Sequence, residues 1–177
     1  VYIQLGGNDF LGASPAPTTE LELETFWSGV WDDIQIVVDH IQSIRPNAKI
    51  IYGNYDYIMD GDASDGHLGL IKLGEEAIAR AALDPNLFYL NTLGLAHFEL
   101  GVPGQFGAGV RPAPGGFPGY VPLAGGDLTV AGDANAWADT IHYNATMYLN
   151  LAELAVDQFI AGFLGGPSTI KITGLPA

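Results

Sequence analysis

Cysteine is absent from this chain of 177 residues, and positively charged residues are scarce. Without cysteine the protein forms no disulfide, no thiolate metal site and no cysteine nucleophile, which leaves its compartment open, export included. Twenty acidic residues against six basic ones give a formal net charge of -14. This charge repels phosphate backbones and anionic lipid head groups, so we expect no nucleic acid partner. No apolar run reaches the roughly 20 residues of a membrane span.

Short apolar runs alternate with amphipathic stretches along the chain. The runs predict buried strands at Val1–Leu5, Ala48–Tyr52 and Leu87–Leu90. Strands that alternate with helices favour an α/β protein, with a parallel sheet and helices on its faces. We expect one domain over residues 1–177.

Apolar residues at helical spacing predict three helices. The first begins at Thr18 or Thr19, which with Glu22 has the pattern of a helix cap, and it ends before Pro46. The others are predicted at Leu70–Leu83 and from about Asn144 to Leu164. The buried stripe of the first helix is predicted as Phe26, Val30, Ile34, Val37, Val38, Ile41 and Ile44. That of the last helix is predicted as Met147, Leu151, Leu154, Ala155 and Phe159.

Loops are predicted at residues 8–17, 55–68 and 91–136. The longest is rich in glycine and proline, and such stretches are often lids or binding loops, although a surface excursion without a role is the alternative. Its aromatic side chains either line an acyl or sugar pocket or pack the loop onto its own domain: Phe106, Phe117, Tyr120 and Trp137.

The acidic run Asp60–Gly66 resembles the start of a calcium loop, but Ile71 stands where the bidentate Glu is needed, so we expect no metal.

Polar residues follow the first predicted strand directly, in the order Gly6-Gly7-Asn8-Asp9. The carboxyl ends of parallel strands point into the crevice where ligands bind. There the amide of Asn8 could donate to a carbonyl oxygen as negative charge develops on it, and Gly6 and Gly7 would let the backbone come close to the substrate. The alternative is an ordinary Asx-type turn made by Asn8 and Asp9.

A second polar motif, Asp139-Thr140-Ile141-His142, precedes the last helix. At this spacing the Asp139 carboxylate can accept from one imidazole nitrogen of His142 and leave the other as a base, as in a serine-hydrolase triad. The alternative is a capping role for Asp139 and a surface role for His142. The other histidines lack such a partner: His40, His67 and His97.

The ordered pair of motifs resembles the SGNH hydrolases, also called the GDSL esterase and lipase superfamily, in which a Gly-x-Asn-Asp block ends the third strand and an Asp-x-x-His block precedes the last helix. The resemblance implies a three-layer α/β/α sandwich with a flavodoxin-like sheet, of which this chain supplies the later strands. It implies that Asn8 donates to the oxyanion, that His142 is general base and acid, and that Asp139 orients it. It also implies hydrolysis of a small ester or an acylated carbohydrate without a cofactor.

The nucleophile block of that family, Gly-Asp-Ser, does not occur in this sequence. None of the serines present follows Gly-Asp: Ser14, Ser28, Ser43, Ser64 and Ser168. Because the chain begins at Val1, directly in a predicted strand, we expect an upstream segment or a companion chain to carry the serine. The alternative is a non-catalytic binding or assembly module derived from a hydrolase.

Overall fold

Three short apolar runs form neighbouring parallel strands: β1 (Tyr2–Ile3), β2 (Ile50–Gly53) and β3 (Leu87–Leu90). The structure is a computed structural model that describes residues 1–56, 64–100, 133–139 and 141–165, without the side chains of residues 64–68 and 97. In the sheet order β1-β2-β3, Tyr2 lies opposite Ile51 and Ile50 lies opposite Leu87. The predicted α/β class is confirmed in this form, a small parallel sheet with helices.

The helices of the described ranges are α1 (Gly7–Leu11), α2 (Glu20–Ile44), α3 (Ser64–Ala81), α4 (Leu95–Glu99), α5 (Ala145–Ala155) and α6 (Ala161–Phe163), with a π-helical turn at Val156–Ile160 between the last two. None of them is both long and apolar enough to cross a lipid bilayer.

Helices pack on both faces of the sheet, because side chains alternate along each strand. Ile50 and Tyr52 of β2 join a cluster with α2, whereas Ile51 joins a cluster with α5 and its preceding segment. All residues of β2 are buried, as expected for a strand covered on two sides. The carboxyl end of β2 therefore lies between these two layers of helices.

The predicted start of α2 is confirmed. Thr19 is the N-cap: its hydroxyl accepts from the backbone N–H of Glu22, and the Glu22 carboxylate accepts from the N–H groups of Thr18 and Thr19. These contacts satisfy backbone donors that a helix start leaves free, and they lower the pKa of Glu22.

The predicted buried stripe of α2 was right in part. Ile34 and Val38 are buried, and Phe26, Val30 and Ile41 are partly buried against the same cluster, but Val37 and Ile44 are exposed. The helix also buries three side chains that the prediction left out: Leu23, Trp27 and Trp31. The helix is apolar on more than one side, and its two tryptophans bury more apolar area than the aliphatic residues that defined the predicted stripe.

Two boundaries near the chain start were also wrong. The strand predicted at Val1–Leu5 is reduced to Tyr2–Ile3, and Val1 and Leu5 are exposed, because β1 is an edge strand within the described part of the sheet. Residues 8–17, predicted as a loop, contain most of α1. Phe10 of α1 stacks on Trp27 at 5.4 Å between ring centroids, which anchors this short helix to α2.

The later elements agree more closely with prediction. β2 and β3 lie where expected, and α5 with the following turns covers the predicted last helix, with Met147 and Leu151 buried. Phe159 is only half-buried. α3 begins at Ser64, inside the loop predicted at 55–68, and α4 lies inside the stretch predicted as loop at 91–136.

Candidate functional site

A tight turn at the end of β1 places Asn8 on the wall of a cavity. Gly6 has a φ of 101°, a left-handed conformation that side chains disfavour, and Gly7 begins α1. The turn is closed by a backbone bond from Phe10 N to Gly6 O at 3.1 Å, and a bond from Gly12 N to Asn8 O at 2.9 Å ends the short helix. Glycine at position 6 therefore sets the direction in which Asn8 leaves the sheet.

The side chain of Asn8 is exposed and makes no hydrogen bond within the described residues. Asp9 likewise accepts none there, so the contacts that would define an Asx-type turn at Asn8 and Asp9 are missing from this part of the structure. The amide of Asn8 is therefore available to a ligand in the cavity.

Tyr55 packs directly against the Gly7 backbone. A Cβ built on Gly7 would lie 2.6 Å from Cζ and 2.9 Å from the hydroxyl oxygen of Tyr55, which is closer than real side chains come. Burial raises the pKa of Tyr55, so its hydroxyl stays protonated at neutral pH. Only glycine leaves room at position 7 for this ring to line the cavity.

The second motif forms a short turn between two paired backbone segments. Trp137 and Tyr143 form an antiparallel bridge, and the N–H of Ala138 donates to the carbonyl of His142 at 2.8 Å. Within the turn, Oδ1 of Asp139 accepts from the backbone N–H groups of Ile141 and His142, each at 2.7 Å. A single carboxylate oxygen therefore fixes the backbone that carries His142.

The other oxygen of Asp139, Oδ2, lies 2.8 Å from Nδ1 of His142. The backbone N–H of His142, its ring and the N–H of Ile141 together lower the pKa of Asp139 from 3.8 to about 2, so the carboxylate is charged at neutral pH. A charged acceptor keeps the proton of a neutral imidazole on Nδ1 and leaves Nε2 as the basic nitrogen. Nε2 has no hydrogen-bond partner in the ranges that the structure describes.

The two motifs meet at one cavity of about 240 Å³. Asn8 and His142 both line it, although 134 positions separate them in the chain, from 8 to 142. Its other lining residues are Gln4, Gly7, Leu11, Tyr55, Asp56, Trp137, Ile141, Tyr143 and Tyr148. The side chain of His142 is 66% exposed, so this wall is open to solvent, and Asp139, 56% exposed, bonds His142 without itself lining the cavity. An amide donor and an oriented base thus share one concave surface, as acyl transfer chemistry requires.

Trp137 is the predicted aromatic residue that the structure describes, and it lines the cavity while being 3% exposed. Its ring also packs on Tyr143 with 4.6 Å between centroids. Trp137 therefore both lines a pocket and packs against its own domain, the two roles that the sequence left open. The remaining predicted aromatic residues lie outside the described residues: Phe106, Phe117 and Tyr120.

Sequence reasoning missed Tyr55, Asp56 and Tyr143. Tyr55 and Asp56 follow the carboxyl end of β2 just as Asn8 follows that of β1, so the rule that ligands bind at strand ends could have found them. Tyr143 had only its position next to His142 as a signal.

Other candidate groups are not part of this cavity in the described residues. His40 is exposed on α2, whereas the structure does not describe the side chains of His67 and His97. No serine of the described ranges lines the cavity. No cluster of His, Asp or Glu that could hold a metal occurs among the residues described, and the acidic run at 60–66 is only partly among them.

The chain matches no protein-family model, no curated protein and no solved structure in the comparisons made with them.

Proposed function

We propose that this chain supplies the oxyanion donor and the acid–base pair of an SGNH-type ester hydrolase. The observation that carries the proposal is the meeting of Asn8 and the Asp139–His142 pair at one cavity. The proposed fold is a three-layer α/β/α sandwich, flavodoxin-like, in which β1, β2 and β3 are the third, fourth and fifth strands. The nucleophilic serine belongs to a segment outside these 177 residues.

In the proposed reaction, Nε2 of His142 takes the proton of the serine hydroxyl as its oxygen attacks the ester carbonyl. The amide of Asn8 donates to the oxyanion that forms. His142 then gives its proton to the leaving alcohol, which produces an acyl-enzyme. Water, deprotonated by His142, releases the acid and regenerates the serine. Asp139 stabilises the imidazolium in both half-reactions.

The proposed substrate is an uncharged ester or an acylated carbohydrate. Among the described residues, neither lysine nor arginine lines the cavity, whereas aromatic side chains do: Tyr55, Trp137, Tyr143 and Tyr148. Aromatic surfaces suit acyl chains and sugar rings, and a cavity without cations gives no counter-ion for an anionic substrate.

A non-catalytic binding module is the second candidate function. It is favoured by one observation, the lack of a serine at the cavity within the described residues. In that case the same cavity would bind an ester or a sugar without turnover.

Turnover of p-nitrophenyl acetate by the natural full-length protein separates the two candidates. We expect His142→Ala to lower kcat by about 10²–10⁴-fold, the usual contribution of a general base. The control is His40→Ala, which changes an exposed histidine on α2 outside the cavity and should leave kcat unchanged. An active protein that is insensitive to His142→Ala refutes the assignment of the base, and a folded protein without turnover favours the binding module.

A further inference from the structure

The buried carboxylate of Asp56, at the carboxyl end of β2, connects two other parts of the chain. Asp56 is 3% exposed. Its Oδ1 accepts from the N–H of Gly94 at 2.7 Å, and its Oδ2 accepts from the N–H of Ala96 at 2.8 Å. The hydroxyl of Tyr143 also donates to Oδ2, at 2.5 Å. Asp56 thereby joins the start of α4 to the segment that carries His142.

Tyr143 follows His142 directly and is anchored in the protein interior. Its ring is buried against Trp137, and its backbone forms the bridge with Trp137 that closes the turn. Asp139 and His142, in contrast, are mostly exposed. Contacts inside the turn fix its shape, but Tyr143 and Trp137 are what attach the turn to the protein interior.

We propose that Asp56 is a positioning residue for His142 and acts on it through Tyr143. An O–H donor and a charged acceptor form one of the stronger hydrogen bonds of proteins, and burial shields this one from water. The Asp56 carboxylate is itself fixed by two backbone N–H groups, so it is a rigid reference point. This bond and the packing on Trp137 hold the ring of Tyr143 in place, and the backbone of Tyr143 continues directly from that of His142.

The consequence for catalysis rests on the proposed function. Asp56 and Tyr143 line the same cavity as Asn8 and His142, so a shift of Tyr143 changes the separation between base and oxyanion donor. A misplacement of about 1 Å can lower a rate about 100-fold, because reacting groups must be aligned. Loss of the Asp56–Tyr143 contact should therefore lower kcat with little change in KM.

Tyr143→Phe in the natural full-length protein is the sharpest test, because it removes one hydroxyl and keeps the ring. The matched control is Tyr89→Phe, which also removes a buried hydroxyl, but one that bonds Asn54 and Asn91 instead of Asp56. The first readout is the hydrogen-exchange rate of the backbone N–H groups of Ala138 and Asn144, which donate to His142 O and Ala136 O on either side of Tyr143 and report how the turn is held independently of any activity. The second readout is kcat and KM for p-nitrophenyl acetate.

We expect the N–H groups of Ala138 and Asn144 to be equally protected in wild-type protein and in Tyr89→Phe, and to exchange faster in Tyr143→Phe. We also expect kcat to fall at least about 10-fold in Tyr143→Phe alone, with KM within about twofold. Asp56→Asn, where it folds, should give the same changes, and combining it with Tyr143→Phe should add little further.

Each outcome bears on one of the two proposals. An active protein in which Tyr143→Phe leaves kcat as in Tyr89→Phe overturns the positioning role, whatever the exchange rates show. A wild-type protein without esterase activity refutes the proposed hydrolase, while faster exchange in Tyr143→Phe alone still supports the structural link from Asp56 to the turn of His142. Unchanged exchange rates in that inactive protein overturn the link as well.

Discussion

The two walls of the cavity are held in place by different forces. The wall that carries Asn8 depends on backbone geometry, namely the left-handed Gly6 and the close contact between Gly7 and Tyr55. The wall that carries His142 depends on carboxylates, because Asp139 shapes the turn of His142 and Asp56 accepts from Tyr143, the residue next to it. We therefore expect the first wall to be sensitive to added side-chain atoms and the second to lost or protonated carboxylates.

The largest effect on the first wall should come from Asn8→Ala. A donor aimed at developing charge contributes mainly in the transition state, so kcat should fall about 10²–10³-fold, or about 2.7–4 kcal/mol, by analogy with another asparagine donor. KM should change little. Steady-state kinetics with p-nitrophenyl acetate checks this. A change confined to KM would instead make Asn8 a residue of ground-state binding.

The next effect is on the free energy of unfolding, which should respond differently to alanine at Gly7 and at Gly29. Gly7→Ala places a methyl group against the ring of Tyr55, and such overpacking should lower the free energy of unfolding by about 1–3 kcal/mol. Gly29→Ala is the matched control, because a Cβ there meets no other atom within 4 Å and lies inside α2. It should raise the free energy of unfolding by up to about 1 kcal/mol. Urea denaturation measures both, and equal changes would contradict the close packing at Gly7.

The smallest effect concerns pH and the second wall. Asp139 should titrate with a pKa of about 2 in the folded protein, against an ordinary value of 3.8. Its folded pKa is the lower one, so its contribution to stability is present above pH 3.8 and is lost as the pH falls through about 2. The ¹³C signal of its carboxyl carbon follows this titration.

Two controls sharpen the pH comparison. His142→Ala removes the ring that accounts for part of the shift, so the pKa of Asp139 should rise towards its ordinary value. Gly7→Ala should lower the free energy of unfolding by the same amount at pH 7 and at pH 3, because Tyr55 stays neutral throughout this range. A midpoint near 4 for Asp139 in the wild type would contradict the observed turn.

Local signals predicted much of the fold. The cap at Thr19 and the strands β2 and β3 could be found because their determinants lie within a few neighbouring residues. The buried side of α2 could be found only in part, since several of its faces are apolar and only tertiary packing selects Trp27 and Trp31. The start of α1 and the shortness of β1 likewise depend on neighbours that are distant in the chain.

The candidate site, too, could be predicted only where its contacts are local in the sequence. Asp139 and His142 lie three residues apart, so their contact could be predicted from spacing, and the structure places Oδ2 and Nδ1 2.8 Å apart. That Asn8 faces them followed only from the resemblance to a family. The contact between Asp56 and Tyr143 spans 87 positions, and no local sequence pattern predicts it.

The most direct test of the proposed site is covalent labelling of the natural full-length protein with a fluorophosphonate, followed by intact mass and peptide mapping. We expect one adduct, on a serine outside these 177 residues, formed by wild-type protein and strongly slowed in His142→Ala, since the base activates that serine. His40→Ala should label at the wild-type rate. A folded protein that forms no adduct, or an adduct whose rate is independent of His142, would contradict a serine hydrolase with His142 as its base.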